Sequence, residues 1–363
     1  MANSTADYHL ADAARLTRFV TDALVAVGTR EPDAAVVAEV LVAADMRGVE
    51  SHGVARLQAY YIARIQSGVM LADAPVTVVR ETPTSLVLDA ANGLGHPASK
   101  RAMAAVIAKA KVSGCAFAAV RNSNHYGIAG YYAMLALDHD LIGMSSTNSI
   151  RYGAATAGRG AMLGTNPWAY AIPAAREPAF VLDFATTTVA RGKLEVAERK
   201  GVPLPPGWAI DADGAETLDP ATGLRGSLLP LGGFGTSNGG HKGYGLGLLA
   251  DLMCATLAGG PGGTDLPTLY DPPRAGAISH FFGAIDPAGF ADVATYKAAV
   301  DRELRQFKDS ERAEPGERIY VAGEIEHERT VAARSGGVPI HHRVWDGLAT
   351  LASDLHLPFT IAR

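Results

Sequence analysis

Near residue 75 the spacing of apolar residues changes from three and four to two, which limits the chain to a helical segment joined to an α/β core. Upstream, Leu10–Val27 and Asp33–Met46 repeat apolar residues at helical spacing, with Gly28 and Gly48 where such helices stop, and Arg56–Ser67 continues the pattern. Downstream, Val76–Val79 and Ser85–Ala90 read as strands, Pro97–Lys111 as a helix and Cys115–Val120 as a buried strand. This strand–helix–strand unit implies a parallel layer in the middle of the chain. A helix over Gly127–His139 and strands over Leu141–Thr147, Trp168–Ile172, Phe180–Asp183 and Ala277–Ile285 are expected next. Further helices are expected over Thr187–Lys200, Gly243–Leu257 and Ala291–Phe307. Residues 201–240, rich in Gly and Pro, predict a long irregular excursion, and Pro339–Leu355 a helix packing back on the N-terminal ones. The division suggested is a helical region, 1–74, packed with 309–363, beside an α/β core, 75–308.

The charge pattern removes several partners. A net charge of -5 with no block of Lys or Arg argues against nucleic acid, which needs a concentrated basic face. The longest apolar stretch, Gly243–Gly259, is broken by Asp251 and reads as a buried helix rather than a membrane span. No basic-then-apolar leader opens the chain, so a cytoplasmic protein is expected. The two cysteines, Cys115 and Cys254, lie in apolar runs and read as free thiols. No histidine or cysteine spacing suggests a metal.

Two stretches fit the loose dinucleotide pattern, Gly93-Leu-Gly95-His-Pro-Ala98 and Gly245-Leu-Gly247-Leu-Leu-Ala250. The second sits within a helical apolar run and reads as helix packing. The first follows a strand and opens a helix, but the next strand ends in Val120-Arg-Asn122 instead of the acidic residue a ribose requires.

The polar clusters carry more. In Glu50-Ser-His-Gly-Val-Ala-Arg56, His52 can exchange a proton near neutrality and Arg56 can grip a carboxylate with two hydrogen bonds; a helix cap with a surface His and Arg is the plain alternative. Arg121-Asn-Ser-Asn-His-Tyr-Gly-Ile-Ala-Gly130 falls between a strand and a helix, where anions bind. Leu163-Gly-Thr-Asn-Pro167 and Asp183-Phe-Ala-Thr186 offer hydroxyls and amides, and Gly239-Gly-His-Lys-Gly-Tyr-Gly245 sets Lys242 at a glycine-rich helix start.

Together with Arg47-Gly-Val-Glu, Tyr131-Tyr132 and Phe180-Val-Leu, these clusters strongly resemble the malate/L-lactate dehydrogenase family of the non-Rossmann type, in order from about residue 10 to 355. That family is similar in fold to sulfolactate dehydrogenase and includes ureidoglycolate dehydrogenases and Δ1-piperideine-2-carboxylate reductases. The resemblance implies a non-Rossmann nicotinamide-binding α/β fold with a mixed sheet and a helical N-terminal region, and a homodimer with active sites near the subunit interface. It makes Gly93-Leu-Gly95 a turn and not a pyrophosphate fingerprint. It implies that His52 donates and accepts the proton, with Ser51 as its partner, and that Arg56 clamps the substrate carboxylate near Thr165. It also implies cofactor contacts from His125, Tyr126, Gly127, Ile128, Ala129, Asp183, Phe184, Ala185 and Lys242, with His125 a second acid/base candidate. Imine-reducing relatives can carry Asp where this chain has Lys193, which tilts the expectation toward oxidoreduction of a 2-hydroxy/2-oxo acid of malate or lactate type. An imine reductase acting on a 2-imino acid, or a non-catalytic small-acid binding protein, is the alternative. A serine hydrolase built on Ser51 and His52 lacks a nucleophile elbow. The cofactor expected is NAD or NADP; no basic residue singles out a 2′-phosphate, so NAD is slightly favoured.

Overall fold

The computed structural model describes residues 7–268, 275–314 and 316–363; residues 1–6, part of the segment expected to lack a leader, lie outside it. Its spine is a seven-stranded mixed sheet. In spatial order the strands are Thr77–Glu81, Ser85–Asp89, Cys115–Ser123, Ile278–Ile285, Ile142–Thr147, Trp168–Ile172 and Phe180–Phe184. Ser85–Asp89 and Cys115–Ser123 run parallel, joined by the helix Gly95–Ser113, as the strand–helix–strand pattern predicts. Every other pairing in this sheet is antiparallel. Ile278–Ile285 is central and buried along nearly its whole length, so it reads as a continuous apolar run rather than an alternating one. The helix Gly95–Ser113 stops where Gly114 takes a left-handed conformation, φ 79°, which a side chain would strain.

The N-terminal helices are Ala13–Ala26, capped by Asp12, and Glu31–Met46. Their apolar faces share one buried cluster with Val338, Ile340, Leu348, Leu351 and Ile361 from the other end of the chain. The segment expected to be helical from Pro339 instead opens as a strand, Val338–His341, antiparallel to Tyr8–Ala11, before the helix His342–Asp354. Local periodicity cannot reveal a pairing across more than 300 residues. A helix over Glu324–Gly336 was also not expected.

Residues 201–240 are not a structureless excursion. They contain the helix Pro220–Arg225 and the short strands Ala209–Ile210, Glu216–Thr217 and Ser227–Leu228, which build a small sheet with Gly153–Ala154 and Ala161–Leu163. Leu194, Ala197, Leu204, Leu224 and Leu228 give this module its own core. Strands of two residues are too short to carry a period, which is why composition suggested a loop. Several helices start elsewhere or wind differently than expected; the one expected from Ala291 starts at Val293, and the one expected over Gly243–Leu257 starts at Gly240 and turns π-helical over Leu252–Thr256. The one expected from Thr187 starts at Arg191; the one expected from Gly127 spans Ala129–Met134; Arg56–Ser67 contains a π-helical turn, Leu57–Ile62. Among the described residues no helix is long and apolar enough to cross a membrane.

Candidate active site

The polar cluster near residue 50 is held on a buried carboxyl. Asp45 lies in the last turn of the Glu31–Met46 helix, and its Oδ2 accepts the Val54 N–H at 2.8 Å. Gly53 passes so close to this carboxyl that a Cβ there would collide with it. Burial pushes Asp45 up to about 8, so at neutral pH it is mostly the neutral acid. Over this support runs the short 3₁₀ turn Glu50–His52. The Ser51 hydroxyl and His52 Nδ1 are 2.8 Å apart, which orients the imidazole. Arg56 Nε donates to the Ser51 carbonyl at 2.7 Å, and among the described residues its terminal nitrogens have no ion pair, leaving an exposed fork.

His125, distant in sequence, stacks beside His52 with ring centroids 5.4 Å apart. Burial, then the nearby Arg56 charge, lowers His52 to about 4, and burial, followed by His52 and other charges, holds His125 well below its usual value. Both imidazoles are therefore neutral at pH 7 in the free protein. Tyr61, fully buried, reaches His125 Nδ1 with its hydroxyl at 2.5 Å.

The 125–130 loop also meets the end of the Phe180–Phe184 strand. Asp183 Oδ2 accepts the Gly130 N–H at 2.7 Å. Solvent reaches this carboxylate although protein surrounds it on most sides, and burial raises it to about 6, against the lowering effects of Gly130 N–H and Arg47. Tyr126 and Ile128 turn their side chains into the core; Tyr126 stacks on His280 at 4.4 Å and shares a 3.1 Å hydrogen bond with Ser145. Gly127 at φ 83° has Val40 where a Cβ would stand, and Ala129 is buried at the start of the next helix.

Thr165, Phe184, Ala185 and Lys242 belong to a second wall. The Thr165 carbonyl accepts from Thr186 N–H at 2.8 Å, and its own N–H donates to Ser149 Oγ at 3.1 Å. Phe184 packs against Trp168, Phe281 and Cys254, while Ala185 is half-buried. The helix Gly240–Asp251 is pinned to this wall by Asn166 Nδ2 donating to the Gly247 carbonyl at 3.0 Å and Trp168 Nε1 to Leu246 at 3.2 Å. Lys242 is exposed on its first turn without an ion pair among the described residues. Among the described residues no hydrogen bond joins this wall to His52 or His125. Lys193 is likewise exposed, away from any hydrogen bond to His52.

The two glycine motifs resolve as packing. At Gly95 a Cβ would strike the carbonyls of Asn124 and His125, so the start of that helix is filled by chain rather than open to a diphosphate. Gly247 lets its helix approach Thr186 and Leu163. Asp45 and Tyr61 were missed from sequence. An acidic residue inside the apolar run Val40–Met46 was the available signal for Asp45, whereas Tyr61 reads as ordinary helix core.

A mixed α/β chain with this imidazole–guanidinium cluster and a carboxylate at a strand end is of the kind found in nicotinamide-dependent hydroxy-acid oxidoreductases. The chain belongs to the malate/L-lactate dehydrogenase family, whose model matches residues 11–349. It is 41% identical over 338 residues to a malate dehydrogenase of Pyrococcus abyssi, covering 93% of this chain and 92% of that one. It is 38% identical to an L-sulfolactate dehydrogenase of Methanocaldococcus jannaschii over 94% of this chain and 95% of that one. The solved malate dehydrogenase of Pyrococcus horikoshii superposes with a TM-score of 0.89 at 36% identity, covering 99% of both chains.

Proposed function

We propose that this enzyme interconverts a small 2-hydroxy acid and its 2-oxo acid, with malate or a related dicarboxylate the best-supported substrate, through residues converging at His52. The observation that carries this reading is an exposed Arg56 fork beside a neutral, oriented imidazole, with a second neutral imidazole 5.4 Å away. The donor set also fits a nicotinamide dinucleotide. Asp183 offers an accessible carboxylate of the kind that takes ribose hydroxyls, and Lys242 at a helix start suits a diphosphate. That cofactor supplies or accepts the hydride at substrate C2.

Arg56 grips the substrate carboxylate and fixes C2 beside the imidazoles, with Thr165 facing the substrate from the opposite wall. Neutral His52 takes the hydroxyl proton during oxidation; His52⁺ returns it to the carbonyl oxygen during reduction. An acid that brings its own negative charge raises the His52 pKa on binding, so the substrate helps to charge the donor that serves it. Ser51 holds the ring, and Tyr126, Gly127, Ile128, Ala129, Phe184 and Ala185 line the cofactor's side through backbone and small groups.

The assembly proposed is a homodimer. Leu246, Leu248, Leu249, Leu252 and Leu257 stand exposed on the helix that begins at Gly240 and its π-helical continuation. So much bare aliphatic surface on one helix suits burial against a second copy. The reading is tested by following NADH and NADPH oxidation with a panel of 2-oxo acids and cyclic 2-imino acids. Turnover of oxaloacetate or a close analogue is expected; turnover confined to imines, or none at all, overturns it. The same panel ranks the two cofactors, of which NAD is proposed.

A further inference from the structure

His125 Nδ1 lies within reach of two donors. The Tyr61 hydroxyl is 2.5 Å away and the Gly127 backbone N–H 3.3 Å away. A backbone N–H can only donate, so Nδ1 must present its lone pair to it. The proton of the neutral ring therefore sits on Nε2, and the Tyr61 hydroxyl must donate as well. Nε2 has no hydrogen-bond partner among the described residues, and the ring is stacked beside that of His52 with 27° between their planes.

The position of Tyr61 is built in. It comes from the π-helical turn Leu57–Ile62, is fully buried, and meets the His96 ring edge-on at 5.0 Å. Burial pushes its phenol well above 10, so it stays protonated and able to donate. Gly127 in turn holds a left-handed conformation against Val40, with no space for a side chain.

We propose that Tyr61 is a positioning residue that locks His125 in the Nε2–H tautomer, making His125 a fixed neutral hydrogen-bond donor to the substrate's C2 oxygen while His52 alone carries the proton. This rests on the assignment of His52 and Arg56 above. It divides the labour between two imidazoles that cannot both be charged at such close range. The groups facing His125 are His52, Arg56, His96, His280 and the phenols of Tyr60 and Tyr61; burial opposes its protonation most, the Arg56 charge adds to that, and any charge acquired by the neighbouring imidazoles would oppose it further. A neutral imidazole aimed at a developing oxyanion stabilises it without giving up its proton.

The test is nitrogen-15 NMR of histidine-labelled protein, with the His125 signals assigned by their loss in His125→Gln. The wild-type ring is expected to show the Nε2–H tautomer unchanged from pH 6 to 9, and Tyr61→Phe, which keeps the buried ring, to show a tautomer mixture. An Nδ1–H tautomer in the wild type, or titration of His125 near neutrality, overturns the proposal. Because no substrate is needed, this result stands apart from any failure to find the right acid. In kinetics, His125→Ala is expected to lose on the order of 10²-fold in kcat. His125→Gln, whose amide can donate from a similar position, is expected to recover part of that with an unaltered pH profile. A glutamine variant as poor as alanine, with the acid limb abolished, would show His125 to be the proton carrier instead.

Discussion

Substituting Gly53 by alanine probes the support beneath His52. The new Cβ would lie below 3.0 Å from both oxygens and the carbon of the Asp45 carboxyl. That carboxyl cannot swing aside at low cost: it is 3% exposed and its Oδ2 holds the Val54 N–H at 2.8 Å. Relief must come from the turn itself, and His52 is the adjacent residue. A displacement of about 1 Å in a reacting group costs on the order of 10²-fold in rate. The expected result is a kcat about 100-fold lower with cofactor affinity little changed, measured by steady-state turnover and fluorescence titration of the reduced cofactor. Asp45→Ala alone leaves the Val54 N–H unpaired, worth about 1–3 kcal/mol. In the double variant the carboxyl is gone, so the methyl added at position 53 fits and the two losses are less than additive. Gly53→Ala within twofold of wild type, or a double variant no better than the product of the singles, would refute this account of the turn.

Other consequences follow from the same geometry. Arg56→Lys replaces a fork with a point charge, and loss of a charged hydrogen bond, about 1.5–3 kcal/mol, predicts a drop on the order of 10- to 100-fold in kcat/KM, mainly through KM for the acid. Arg56→Met also removes a charge that lowers His52, so the acid limb of the oxidation profile should move upward from near 4. Buried His52, His96 and His280, with folded values of about 4, 3 and 3, take up protons on unfolding, so stability is lost as pH falls below about 6.5. His125, also held low, adds to this loss; Asp45, raised to about 8, Asp183, raised to about 6, and Asp251, also raised, work in the opposite direction but are outnumbered by the four histidines. Calorimetry should therefore find a lower Tm at pH 5 than at pH 7, and an unchanged or higher Tm would count against these buried neutral rings. Leu249→Glu with Leu252→Glu should convert a dimer to monomer in analytical ultracentrifugation; a protein whose mass is the same with and without the substitutions would refute that interface.

What could be read from sequence was what is contiguous. Ser51, His52 and Arg56 occur within six residues, and the 125–130 and 183–185 loops follow strands whose periodicity is plain, so the clusters announced themselves. The convergence of His125 with His52 depends on a fold that brings together residues 73 apart, and only the family resemblance pointed to it. Tyr61 was hidden because a buried tyrosine in Gln58-Ala-Tyr-Tyr-Ile62 is indistinguishable from core until the π turn and its contact with His125 are seen. Tyr126 shows another limit: within a polar loop its ring completes the core against His280, which the sequence of the loop does not reveal. The strand Val338–His341 escaped because its partner is the N-terminal Tyr8–Ala11, and pairing at that distance leaves no local trace. The parallel pair beside Gly95–Ser113 was legible since the crossover helix lies between its strands.

The central claim is that His52 moves the substrate proton, and hydride transfer in a single turnover tests it most directly. His52→Ala, shown folded by circular dichroism and loaded with reduced cofactor, is mixed with the best 2-oxo acid in a stopped-flow instrument. A transfer rate lower by about 10²–10⁴-fold, with cofactor affinity retained, is the predicted result. Near-normal transfer in that variant would contradict the account.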